Sequence, residues 1–148
     1  MTERCMQMFF PIIIQDHWVL LCVSMFMKQI AFFDSLSASK ESSCLKCAQN
    51  LIQNFAATTL KHGVLRTDVS RFEWIYPEGY PKQKNVYDCG IFTMVYMDAW
   101  DGKKIVDPSL VKDSVLDFRK HAAALLLRSE HNVVKLDEFV KMYNARKT

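Results

Sequence analysis

The stretch Gln83-Lys84-Asn85-Val86-Tyr87-Asp88-Cys89-Gly90, running on through Ile91-Phe92-Thr93-Met94-Val95-Tyr96-Met97-Asp98-Ala99-Trp100, decides how this chain is read. With Pro77, Gly79 and Pro81 just upstream, its first part reads as a loop. Its second part is apolar almost all round, the pattern of a helix buried in an interior. Cys89 falls at the junction, where the peptide dipoles at a helix N-terminus favour a thiolate over a thiol whose ordinary pKa is about 8.5. Gly90 lets another backbone approach closely. A cysteine in apolar sequence is by default an inert core residue, but this one stands where a nucleophile would.

A nucleophile needs a base and a group to orient it. Trp18 to Met27 and Gln29 to Phe33 are rich in Val, Ile, Leu and Phe, with a polar break at Lys28-Gln29. They read as a β-hairpin whose strands are buried on both faces. His17 then begins one strand and Asp34 follows the end of its neighbour, and antiparallel pairing brings those ends together at about 5 Å. Either residue alone would pass for a structural histidine or a solvated turn; the hairpin couples them. His62, His121 and His131 have no carboxylate placed in this way. Gln83, six positions before Cys89, can donate to an oxyanion together with the Cys89 N–H. The set His17, Asp34, Gln83 and Cys89 holds the parts of a thiol-dependent acyl-transfer site.

Around this set, Met8 to Ile14 is a short apolar run that Pro11 confines to an edge strand. Ser42-Ser43 is expected to cap a helix from about Cys44 to His62, stopped by Gly63, with Leu45, Ala48, Ile52, Phe55, Ala56 and Leu60 on its apolar face. Arg71 to Tyr76 is expected as a strand. Asp107-Pro108 has the form of an N-cap and first-turn proline opening a helix to about Arg128, and a last amphipathic helix runs from Leu136 to Asn144. Ser35 to Ser43 is a polar, serine-rich loop. Asn85 and Asp88 are expected to brace the loop near the nucleophile. The Cys44-x-x-Cys47 pair has no second pair or nearby histidine for zinc; helical spacing puts both thiols on one face. Glycines do not cluster into a phosphate loop.

The chain has 148 residues, half of them hydrophobic, and a net charge of +3. This predicts one folded domain over residues 1–148. The mild charge does not call for nucleic acid, and Lys103-Lys104 and the Arg146-Lys147 tail read as solvated surface. The longest apolar runs are too short to span a bilayer. Five cysteines without framework spacing and no signal-peptide pattern lead us to expect a soluble protein of a reducing compartment, with free thiols.

His17-Trp18, Phe33-Asp34-Ser35 and Gln83-x-Asn85-x-x-Asp88-Cys89-Gly90 resemble the signature of the ubiquitin-like-protein-specific cysteine proteases, the SUMO (sentrin) protease family. The order His, Asp, Cys matches that family, whereas papain-type enzymes place the cysteine first. The resemblance covers roughly Met8 to Trp100. It implies an α+β fold with a papain-like core, in which a central helix carrying the nucleophile packs on a twisted antiparallel sheet, with a helical C-terminal part. It implies cleavage after a Gly-Gly terminus, releasing SUMO from a lysine or maturing its precursor, without metal or cofactor. Trp18, next to the base, would cover the diglycine tunnel. The partners implied are a ubiquitin-like protein, SUMO foremost, and its conjugates, with no nucleic acid or membrane; the enzyme itself is expected to be a monomer of the nucleus or cytoplasm. The family carries a helical region and a first sheet segment before its histidine. With sixteen residues before His17, the chain is expected to be an N-terminally truncated, plant-like copy.

Overall fold

The computed structural model describes residues 7–106 and 115–146. Strands β1 (Gln7–Ile14), β2 (His17–Ser24) and β3 (Gln29–Asp34) lead to helix α1 (Leu45–Lys61). A short strand β4 (Glu73–Ile75), helix α2 (Cys89–Ala99), and helices α3 (Val115–Arg128) and α4 (Leu136–Ala145) follow. The strands form one sheet in the order β1-β2-β3-β4. The first two pairings are antiparallel, but β4 runs parallel to β3. The sheet is therefore mixed rather than wholly antiparallel. Residues between Asp34 and Glu73, α1 among them, supply the crossover that a parallel pairing requires.

Alternation along β2 and β3 builds two cores, one on each face of the sheet. Val19, Leu21, Val23, Ile30 and Phe32 pack with Ala48, Ile52 and Ala56 of α1. Leu20, Cys22, Ala31 and Phe33 face Ile91, Phe92, Val95 and Tyr96 of α2. The period of two in a strand sends successive side chains to opposite helices. That is why these strands read as continuous apolar runs.

β1 and β2 are joined by a two-residue turn in which Gln15 and Asp16 both have positive φ, 50° and 64°. This is the backbone sense that matches the twist of a tight hairpin. Pro11 sits in β1 opposite Leu20, on the sheet's edge, as proline must. β2 ends at Ser24 rather than at Met27, because Ser24 pairs with Gln29 across a four-residue turn. Ser24 Oγ accepts the Met27 N–H at 3.2 Å, and Lys28 takes φ 51°.

Other boundaries shift for local reasons. The residue capping α1 is Cys44, since the Ser42 hydroxyl turns elsewhere while accepting from the Cys44 N–H. The buried face of α1 is Ala48, Ile52, Ala56 and Thr59, leaving Leu60 exposed. The expected strand over Arg71 to Tyr76 shortens to three residues because Val69–Arg71 closes into a 3-10 turn capped by Asp68. Cys44 is buried and Cys47 exposed, so the pair does not share a face. α4 spans Leu136–Ala145 as the pattern predicted. The Asp107-Pro108 cap lies outside the described residues.

Phe33 is fully buried and its ring meets those of Tyr80, Tyr96 and Trp100 at 5.0–5.4 Å between centroids. Phe33→Ala is expected to cost about 3–5 kcal/mol of unfolding free energy. Val64→Ala, on an exposed side chain, is expected to stay within about 0.5 kcal/mol. Urea titration of both variants checks the contrast.

Candidate active site

The three stretches singled out in the sequence converge where the N-terminal end of β2, the C-terminal end of β3 and the N-terminus of α2 meet. Val19 pairs with Asp34, so His17 lies two residues diagonally beyond it. His17 Nε2 and Asp34 Oδ1 are 2.8 Å apart. The other imidazole nitrogen, Nδ1, is buried and has no hydrogen-bond partner among the described residues.

Asp34 is buried and its carboxylate is surrounded by donors. Oδ1 accepts the backbone N–H of Leu36 at 2.9 Å and of Ser37 at 3.3 Å. Oδ2 accepts the hydroxyls of Ser37 at 3.0 Å and Ser42 at 2.5 Å. Burial opposes ionisation, but the hydrogen bonds from Ser42, His17, the Leu36 amide and Ser37 outweigh it and hold the carboxyl below the ordinary range. The backbone of Asp34 is pinned too. Its carbonyl accepts from Tyr80 Oη at 3.0 Å and from Lys82 Nζ at 2.5 Å. Lys82 Nζ also donates to the Ser37 carbonyl at 2.5 Å and lies 4.0 Å from the Tyr80 ring centre.

Gln83, expected in a loop, is buried. Its Oε1 accepts the Ser35 hydroxyl, and its backbone N–H donates to the Ser35 carbonyl at 3.1 Å. One N–H of its amide goes to the Asn85 carbonyl at 2.5 Å. An amide nitrogen has two hydrogens, and Ser35 fixes which way this one points.

Asn85 braces the turn before the cysteine. Its Oδ1 accepts the N–H groups of Tyr87 (3.1 Å) and Asp88 (3.0 Å), and its Nδ2 donates to Asp88 Oδ2 at 2.6 Å. Cys89 opens α2 and lines an open cleft of about 710 Å³ with Trp18, Gly90, Met94, Met97 and Arg119. The Trp18 indole lies against Gly90: a Cβ there would come within 3.4 Å of its Cδ1. Cys22, by contrast, is sealed in the core, where burial pushes its thiol up to about 12.

The structure thus gathers His17, Trp18, Asp34, Gln83 and Cys89 at one end of the sheet. It adds residues for which the sequence suggested no role in orienting the site. Ser37 and Ser42 hold the carboxylate, Ser35 the glutamine, and Tyr80 and Lys82 the Asp34 carbonyl. The serine-rich composition of residues 35–43 was the available signal. Arg119 of α3 reaches Asp88, although the helices after residue 107 carried no diagnostic pattern. Among the described residues there is no group of three or more side chains suited to hold a metal ion, and no helix long and apolar enough to cross a membrane.

The model of the Ulp1 protease family, C-terminal catalytic domain, matches residues 4–130, and the chain belongs to that family. It is 24% identical over 126 residues to "Ubiquitin-like-specific protease 1A" of Arabidopsis thaliana, covering 85% of this chain and 24% of that protein. To "Putative ubiquitin-like-specific protease 1B" of the same plant it is 32% identical over 95 residues, 64% of this chain and 27% of the relative. A solved structure of the SUMO protease Ulp1, with its catalytic cysteine oxidized to a sulfenic acid, superposes with a TM-score of 0.61 at 25% identity. That match covers 80% of this chain and 51% of the solved one. The chain spans about a quarter of the length of the curated relatives it matches.

A carboxyl held below its ordinary range stabilises the fold above its unfolded pKa, and that stability fades as pH falls through the folded value. Ser42→Ala removes one donor to Asp34. It is expected to cost about 1.5–3 kcal/mol near neutral pH. The gap to wild type should narrow only as pH falls below the ordinary carboxyl range and through the lowered folded value, where Asp34 takes up a proton. Denaturant titrations at pH 7 and pH 3 measure the two gaps.

Proposed function

We propose that this chain is the catalytic domain, over residues 1–148, of a SUMO-type thiol isopeptidase and endopeptidase that cleaves after a C-terminal Gly-Gly. The observation that carries the reading is the His17–Asp34 pair at 2.8 Å, with Nδ1 of the imidazole left unpartnered beside a helix that opens on Cys89. Family membership and the names of the relatives supply the substrate class.

In this mechanism His17 Nδ1 takes the proton from Cys89, while Asp34 holds the ring and stabilises the imidazolium. The thiolate attacks the carbonyl carbon of the terminal glycine. The free N–H of the Gln83 amide and the Cys89 N–H, which as the first of a helix has no intrahelical acceptor, stabilise the oxyanion. His17 then protonates the departing lysine or α-amine, leaving a thioester. Water, deprotonated by His17, attacks it and releases the modifier's carboxylate with the thiol restored. Trp18 against Gly90 favours a strand without side chains at this point, which is what a diglycine offers. The residues call for no metal or cofactor. Among the described residues the four cysteines, Cys22, Cys44, Cys47 and Cys89, are free thiols, which supports a reducing compartment, nuclear or cytoplasmic.

The deciding experiment incubates the chain, and its Cys89→Ala variant, with SUMO, the neddylation modifier and ubiquitin, each carrying a thiol-reactive C-terminal warhead. Intact mass should show a SUMO adduct on wild type alone. An adduct with the neddylation modifier instead would keep the mechanism and change the partner. No adduct on a chain shown to be folded would sink the enzymatic reading in favour of a binding module. Gln83→Ala is expected to slow turnover by about 10²–10³ with the fold intact by circular dichroism.

A further inference from the structure

A buried negative charge stands directly before the cysteine. Asp88 is buried and is held on two sides. Asn85 donates to its Oδ2, while Arg119 of α3 brings Nε (3.0 Å) and Nη2 onto its Oδ1. The same Nη2 donates to the Tyr87 carbonyl at 3.0 Å. One guanidinium therefore grips two successive residues of the turn that delivers Cys89. Burial works against the Asp88 charge, but the bonds from Asn85 and Arg119 and the charge of Arg119 keep the carboxyl below its ordinary range.

Asp88 is the residue directly before Cys89, whose sulfur must carry negative charge in this mechanism, and a like charge nearby opposes that charge. Asp16 also lines the cleft, and among the described residues that line it Arg119 is the cation. A planar guanidinium suits this place, because its fork fixes direction as well as supplying charge. We propose that Arg119 is a positioning residue for the nucleophile: it clasps Asp88 and the Tyr87 carbonyl, fixes the turn that presents Cys89, and offsets the carboxylate beside the thiolate. The inference rests on Cys89 being the nucleophile. It assigns to the C-terminal helical part a role in the chemistry rather than in packing alone.

The test uses iodoacetamide, which needs no substrate docking, on the whole 148-residue chain, with the rate at each cysteine read by peptide mass. Wild-type Cys89 should react at least about tenfold faster than exposed Cys47, the excess expected of an activated nucleophile over an ordinary surface thiol. If it does not, the nucleophile reading fails and this inference with it. If it does, Arg119→Met should slow Cys89 by about tenfold and leave Cys47 unchanged. Adding Asp88→Asn, which removes the charge needing compensation, should restore most of that loss. A folded Arg119→Met chain that labels at the wild-type rate overturns the proposal, since neither a packing role nor a substrate contact would alter alkylation at Cys89. Should Arg119→Met not fold, Arg119→Lys keeps a cation but not the fork. It is expected to label Cys89 several-fold slower than wild type, and the wild-type rate there overturns the proposal equally.

Discussion

A buried carboxylate has to be ionised at Asp34, and much of the surrounding chain is arranged to make that affordable in an apolar setting. An unpaired charge inside a protein costs several kcal/mol. Here two backbone amides, two serine hydroxyls and one imidazole converge on the two oxygens. The donors come from both sides of the sheet's end: His17 from β2, and Leu36, Ser37 and Ser42 from the loop that leads into α1. Satisfying Asp34 therefore folds that loop down and fixes the orientation of the imidazole. The same residue's carbonyl ties in Tyr80 and Lys82, so the loop that runs on to Cys89 is anchored to the charge at its other end.

The rigid frame beneath is a sheet clamped between two helices. Because α1 and α2 press on opposite faces of β2 and β3, neither strand can slide or tilt without opening one core. Close packing tolerates few voids, so the ends of these strands are well-defined points in space. The candidate base and its carboxylate partner sit on those ends, and the candidate nucleophile sits on the end of a clamping helix. Loops contribute the adjustable parts, namely the glutamine and its bracing serine and asparagine.

Much of this was legible beforehand. Hydrophobic runs gave β2, β3, α1 and α2, because burial on both faces leaves a continuous apolar signature. The hairpin geometry brought His17 to Asp34 from sequence separation alone. What stayed hidden depended on long-range geometry or on polar atoms. The direction of β4 is set by where its chain returns, which a run of residues 71–76 does not encode. Ser42 reads as a helix cap by composition, yet its hydroxyl is taken by a carboxylate eight residues back. Arg119 lies thirty-one residues beyond its partner Asp88 in a helix with no motif, and a single arginine on an amphipathic helix carries no mark of what it faces. Gln83 was placed by its offset from Cys89, but its burial and its bond to Ser35 follow only from the folded loop.

The turn at Gln15 and Asp16 sets a phase. Side chains alternate along β2, so the number of residues between Ile14 and His17 decides which of two neighbours faces which helix. As built, the even-numbered members of β2, Trp18 at their head, look toward α2, and the odd-numbered members look toward α1. Losing or gaining one residue in that turn, with β1 kept in place, would invert the parity of the whole strand. Indole and imidazole would exchange sides, and both cores would receive the wrong set of side chains. The length of a two-residue link on the surface is thus as strict a requirement as any residue in the cleft.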